Sequence, residues 1–248
     1  MDVRGLHEQG DCTPVASGQI ATRVKKHAHL FERAGNLIAL IGAPDPEAPP
    51  PRTPTTKILG SNDPHAAQRQ LLEENSFRPA GIIDQLVSED FGLYAIRLRE
   101  GATLPNPFGA VAIECGTRLL YLGQALDQTL PVRFLGNELR GKGNGTFLRS
   151  LGAVLGLRPA PGSLANNARK QNYRFSPPNR EAIMGWINEH LEVSWVTLPR
   201  VDVHGAEVEL IREHTPVLNL KDNPLKLPEL ALLREICREI PSGPKAAL

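Results

Sequence analysis

The chain has 248 residues, 41% of them apolar, with 28 Lys and Arg against 27 Asp and Glu, a formal net charge of +1. That length and apolar content support one packed domain with appendages and exclude a disordered or low-complexity chain. Three scattered cysteines, Cys12, Cys115 and Cys237, offer neither a disulfide framework nor zinc-ligand spacing; the polar, acid-bearing N-terminus and the lack of an apolar run of ~18 residues predict a cytoplasmic protein with no membrane partner.

In chain order, Ile20, Val24, His27, Leu30, Phe31, Leu37 and Leu40 recur at roughly helical spacing and predict a helix over 17–42. The Pro-dense stretch 43–57 reads as an extended linker. A short helix follows at about 64–75, which puts the main domain boundary near residue 78. GLYAIRL (92–98) and RLLYLGQA (118–125) are rich in strand formers, and the intervening GATLPNPFGA (101–110) is turn chemistry. Pro131 suits the first position of a helix reaching about Leu139. GKGNG (141–145) breaks that helix, and Thr146 is placed to cap the next one, TFLRSLGAVLGL.

A Pro/Asn-rich loop (159–178), a helix from Asn179 to His190, a strand (192–198), a helix at about 204–214 and an amphipathic helix from Pro228 to Ile240 complete the chain. The pattern predicts an α+β fold: a small three-stranded, mainly antiparallel sheet flanked by helices, with an N-terminal helical extension and a C-terminal helix. The expected organisation is an extension over 1–77, a main domain over 78–226, and a terminal helix and tail over 227–248.

Charge is unevenly distributed. Leu130 to Arg180 holds nine bases and one acid, Glu138, a net +8 that leaves −7 for the remainder. A basic segment in a near-neutral chain suits a polyanionic partner. Within it, the Gly-rich loop before the Thr146 helix would offer backbone N–H groups to a phosphate, with Arg140, Lys142, Asn144, Thr146, Arg149 and Arg174 along the nucleic-acid backbone. Tyr173 reads as a loop aromatic anchored to the core, and Trp186 and Trp195 as core residues.

The pieces that carry chemistry are far apart. Gly92-Leu93-Tyr94 and Tyr121-Leu122-Gly123 lie on consecutive predicted strands, Arg133 opens the next helix, and Glu207-Val208-Glu209 precedes Pro216-Val217-Leu218-Asn219. In that order they resemble the GIY-YIG nuclease family, over roughly residues 88–225. The blocks GNGTFLRSLG, NREAIMGWINEHLEVSWV and ELIREHTPVLNLKDN resemble one bacterial subgroup of it.

The resemblance implies a metal-dependent endonuclease acting on DNA, with RNA also open as substrate. Glu207 would hold Mg²⁺ or Mn²⁺ through one carboxylate, as suits a cation that keeps its waters. Arg133 would fork onto non-bridging phosphate oxygens, with Arg140 as its alternative. Tyr94 would be the general base or position the water, Tyr121 would support it, and Asn219, Gly92 and Gly123 would hold the site. One helical turn after Arg133, where the family commonly has His or Tyr, stands Asn137, which neither gives nor takes a proton at ordinary pH. Two alternatives therefore stand: a nucleic-acid-binding module with a degenerate site, and an adaptor that docks partners on its terminal helices. The oligomeric state is not legible.

Overall fold

The computed structural model describes residues 31–34, 37–40, 63–143, 145–164 and 172–243, and the chain divides into two compact units, Met1–Thr56 and Lys57–Leu248. In the first unit, β1 (Phe31–Ala34) pairs antiparallel with β2 (Leu37–Leu40), from Phe31↔Leu40 to Ala34↔Leu37. This overturns the helix expected across these residues. Apolar residues at helical spacing are outweighed by Gly35-Asn36, a pair suited to two-residue hairpin connections, which stands between the paired ends. The rest of the helix expected over 17–42, and most of the linker over 43–57, lie outside the described residues.

The second unit is built on an antiparallel sheet in which β4 (Gly92–Leu98) runs between β5 (Leu119–Ala125) and β6 (Leu191–Thr197). A two-residue strand, β3 (Arg78–Pro79), adds to the outer side of β6 and makes four strands where three were expected. All seven residues of β4 are buried, because both faces of the sheet are covered by helices.

On one face pack α1 (Pro64–Leu72) and α6 (Arg200–His214), whose Leu71, Val203, Ala206 and Leu210 meet Leu93, Ala95 and Leu122. The other face carries the larger core. There Tyr94, Ile96, Tyr121 and Trp195 meet α2 (Phe108–Glu114), α3 (Pro131–Leu139), α4 (Thr146–Val154), α5 (Pro177–His190) and α7 (Pro228–Ser242). The compact unit starts at Lys57, ahead of the boundary expected near 78, because α1 buries Ala67 and Leu71 against the sheet. Helix α2 begins inside the stretch 101–110, where turn chemistry was expected, and was not foreseen.

Side-chain caps fix two of the helix starts. The Asp63 side chain accepts from the His65 N–H ahead of Pro64, and Ser176 Oγ accepts from the Asn179 N–H ahead of Pro177. Two helices depart from simple expectation. Thr146 is the first residue of α4 and makes no capping bond. The helix over 131–139 is wound as a π-helix, with the Arg140 N–H donating to the Leu135 carbonyl five residues back.

Two glycines let the central strand be approached closely. A Cβ on Gly92 would lie 1.9 Å from the Val196 carbonyl oxygen, and one on Gly123 would lie 2.4 Å from Tyr94 Cζ. The Tyr94 ring thus lies across Gly123, its partner in register, and stacks on Phe134 with ring centroids 4.7 Å apart. Because that ring is fully enclosed, Gly123→Ala is expected to cost about 1–3 kcal/mol or more through overpacking. Denaturant unfolding checks this; an unchanged midpoint would show that the ring can move aside.

Candidate active site

The site is built around a buried charge. Glu138, near the end of α3, has no solvent exposure. Its Oε1 accepts from the Thr146 N–H at 3.0 Å, and its Oε2 accepts from the N–H groups of Phe147 at 2.8 Å and Leu148 at 3.3 Å. These are the first amides of α4, which would otherwise lack acceptors, and the positive end of the helix dipole adds to the attraction. Gly145 makes the approach feasible, since a Cβ there would sit 2.5 Å from Glu138 Oε2.

Two more groups converge on Oε1 of the same carboxylate: Arg133 Nη2 at 3.0 Å and the Tyr94 hydroxyl, which donates across 3.4 Å. Burial raises the Glu138 pKa, while Arg133 and the three amides oppose that rise. The phosphate site expected at the start of α4 is corrected by this arrangement, because the helix already has its anion from within the chain. Asn144 of that loop lies outside the described residues.

Around this anchor opens a cleft of about 1120 Å³. Tyr121, Arg133, Asn137, Glu207 and Asn219 all line it, drawn from β5, α3, α6 and the segment after α6. Tyr121 is 7% exposed and Tyr94 fully enclosed, so Tyr121 is the phenol that borders the cleft, whereas Tyr94 lies behind it, against Glu138. Burial raises the pKa of both phenols, and the Glu138 charge adds to the rise, so neither ionises near neutral pH. For Arg133, burial disfavours the charge, but the phenols, Glu138 and Glu207 outweigh it and hold the guanidinium protonated.

Glu207 reaches the cleft from α6, a helix on the opposite face of the sheet. Its carboxyl takes a hydrogen bond from the Gln124 backbone, and His204 Nδ1 lies 3.9 Å from its Oε2. Burial pushes its pKa up to about 7, with Asp222 adding to the rise and Lys221 and Arg133 opposing it.

Asn219 is a clamp. Its Oδ1 accepts from the Leu122 N–H and its Nδ2 donates to the Leu122 carbonyl, both at 2.9 Å. With the Leu218 N–H donating to the Leu120 carbonyl at 2.8 Å, the segment after α6 runs along the open edge of β5 and closes it. Asn223 completes the turn by donating to the carbonyls of Pro216 and Asn219.

The remaining expected residues divide. Arg149 and Arg174 line the cleft, as do Lys221, Arg234 and Arg238. Arg140 is not among the lining residues: Asp84, the Ala80 carbonyl and Asn188 hold its guanidinium, so it ties α3 to the 80–84 turn and α5. Lys142 is exposed and outside the lining set; the Arg140 hydrogen bond holds the Asp84 carboxyl below its ordinary range, and Lys142 adds a smaller pull. Asn137 donates to Gln128 Oε1 at 3.0 Å. Tyr173 is fully buried, as a core anchor should be, with Arg149 5.6 Å and Arg234 5.9 Å from its ring centroid.

The comparison with protein families settles the broad assignment. Residues 92–237 match the model of the GIY-YIG catalytic domain. The chain belongs to the GIY-YIG family. No curated protein and no solved structure matches it. The GIY-YIG match supports a nuclease-type function and nucleic-acid binding in general terms, and it covers β4, β5 and β6, α6 and most of α7. Among the described residues, no helix is long and apolar enough to cross a membrane.

Glu138, five residues after Arg133, reads from the sequence as a candidate ion-pair partner for it, but not as a residue of the site. On an α-helix that spacing would turn the two side chains about 140° apart, whereas a π-turn brings positions five apart onto one side. Removing the carboxylate in Glu138→Ala takes away an anion shared by Arg133 and the start of α4, an expected loss of ~3–5 kcal/mol. Arg133→Ala leaves Glu138 with its three amides and is expected to cost clearly less. Equal losses in denaturant unfolding would contradict this ranking.

Proposed function

We propose that this GIY-YIG chain is a metal-dependent endonuclease that hydrolyses phosphodiester bonds, with double-stranded DNA as its substrate. The observation that carries the reading is the meeting, in one cleft, of Glu207, Arg133, Tyr121 and Asn219, which lie far apart in the sequence. The cleft is lined by six cationic side chains (Arg133, Arg149, Arg174, Lys221, Arg234 and Arg238) and three acids (Asp127, Glu207 and Asp222), a balance that favours a polyanion.

The fit to a metal is of one kind only. Among the described residues, no cluster of three His, Cys, Asp or Glu forms a protein cage. A lone, largely desolvated carboxylate suits a Mg²⁺ or Mn²⁺ that completes its shell with waters and phosphate oxygens, and Glu207 would hold it. Bound there, the cation would polarise the phosphate and lower the pKa of a coordinated water.

The chain's own groups divide the remaining work. Arg133, fixed by Glu138, presents a planar cation to the non-bridging oxygens as their charge grows. Tyr121, kept neutral by burial, donates or accepts a hydrogen bond to orient the attacking water, and does not act as a phenolate. Tyr94, enclosed behind it, acts through Glu138 instead of on substrate. As the reaction runs, the attacking water forms an O–P bond and gives up a proton to solvent, the bond to the leaving oxygen breaks, and the leaving oxygen takes up a proton from solvent, so the proton count is unchanged.

A second reading, a binding module without catalysis, is favoured by one observation: Asn137 puts an amide in the cleft where the family commonly has a proton-handling side chain. Supercoiled plasmid incubated with Mg²⁺ separates the two. The endonuclease reading expects nicking or linearisation that Glu207→Ala lowers by about a hundredfold or more. Binding with no cleavage by the wild-type chain would favour the module. A parallel RNA substrate tests the choice of DNA.

The pH dependence follows from Glu207. Its folded pKa, about 7, lies above the ordinary carboxylate value of 4.5, so the unfolded chain releases this proton first. Metal-free stability from this group is therefore greatest below pH 4.5 and is lost as pH rises toward about 7. A divalent cation needs the ionised form, so Mg²⁺ should stabilise the fold more at pH 8 than at pH 6. Thermal unfolding with and without Mg²⁺ measures this; the difference should vanish in Glu207→Gln, and equal stabilisation at both pH values would contradict the assignment.

A further inference from the structure

We propose that Arg234 and Arg238 of α7 form a second phosphate-binding subsite in the cleft, taking a phosphodiester of the bound strand other than the one being cleaved. The proposal rests on the nuclease reading above and extends it to an element that the first-named site residues do not touch. The two arginines are one helical turn apart, hence on one side of α7, and both line the cleft.

Their heads are held in place before any ligand arrives. Arg234 Nη1 donates to the Thr146 carbonyl at 2.9 Å and to Ser150 Oγ at 2.8 Å, and its guanidinium lies 5.9 Å from the Tyr173 ring centroid. Arg238 is paired with Glu235 on its own helix. The Nε–H of each side chain is nevertheless buried without an acceptor. Those Nε atoms lie beneath the surface, so the part of each cation that meets a ligand is the guanidinium end bordering the cleft, which calls for oxygen acceptors. A phosphodiester supplies these with charge, and the planar guanidinium matches its geometry.

A role limited to tethering α7 to α4 would use the bonds of Arg234 to Thr146 and Ser150. It would not require Arg238 to face the cleft. Phosphate contacts also carry a signature that tethering lacks: each one released lowers the dependence of binding on salt.

The test uses the full-length chain and a fluorescently labelled DNA duplex of about 20 base pairs, without divalent cation so that no cleavage occurs. Binding is titrated over a range of NaCl. Arg234→Gln with Arg238→Gln is expected to weaken binding about tenfold at low salt and to lower the salt slope by about 2. With Mg²⁺ restored, KM should rise far more than kcat falls. Should the double variant fail to fold, Arg238→Gln alone, which leaves the α4 contacts intact, should lower the slope by about 1. A folded Arg238→Gln with unchanged affinity and slope overturns the subsite, as does a fall confined to kcat. If wild type cleaves and Glu207→Gln does not, either result removes the subsite and leaves the nuclease reading standing. If wild type neither binds nor cleaves the duplex, both fall together.

Discussion

The fully buried carboxylate of Glu138 is the constraint on which the rest of the site depends. An uncompensated charge at that depth would destabilise the fold severely. The chain compensates it from three directions, with the first amides of α4, the Arg133 guanidinium and the Tyr94 hydroxyl. Each of those partners belongs to a different element, so one charge locks the central strand, the π-helix and α4 to one another. The glycines at 123 and 145 follow from the same demand, since they clear room for the Tyr94 ring and for the carboxylate.

From that lock the cleft acquires its two kinds of wall. One wall is held from the far face of the sheet, where α6 carries Glu207 past the edge of β5, and Asn219 seals that edge by pairing both ways with Leu122. The other comes from the larger core, where α3, α4 and α7 bring guanidinium groups to the opening. A largely buried acid, raised toward neutrality by burial and by Asp222, is suited to exchanging a proton for a metal ion. The cations alone would suit binding. Hydrolysis would need both walls in register, and the Asn219 and Asn223 side chains serve this by pairing with backbone.

Much of this was legible in the sequence because the signals were local. Alternation placed β4, β5 and β6 within a residue or two, and Pro64, Pro131 and Pro228 marked helix starts. The order of GLY, YLG, Arg133, Glu207 and Asn219 located four of the residues that line the cleft. What escaped depended on three-dimensional closure. Gly35-Asn36 decided for a hairpin against a helical pattern of apolar residues. Glu138 looked at most like an ordinary ion-pair partner for Arg133, and only the fold shows that it also takes the first amides of α4. The Gly-rich loop and the helix start after it read as a phosphate cradle, and only the fold shows the first amides of α4 already taken by Glu138. Arg140 was indistinguishable from a nucleic-acid contact until Asp84 was found beside it. Arg234 and Arg238 lay in a helix whose apolar face drew attention to packing.

The division between the two phenols also emerges only from the fold. Strand register sets Tyr94 opposite Gly123 and Tyr121 opposite Ile96, on the same face, yet helix α3 covers the first and leaves the second at the cleft. The most direct test of the account is the single-turnover cleavage rate of Glu138→Gln at saturating Mg²⁺ and DNA, alongside its binding affinity. The account predicts a folded protein that binds DNA nearly as wild type does but cleaves it about a hundredfold more slowly, because Arg133 has lost the charge that holds it. A rate equal to wild type in the folded variant would contradict the central role given to that carboxylate.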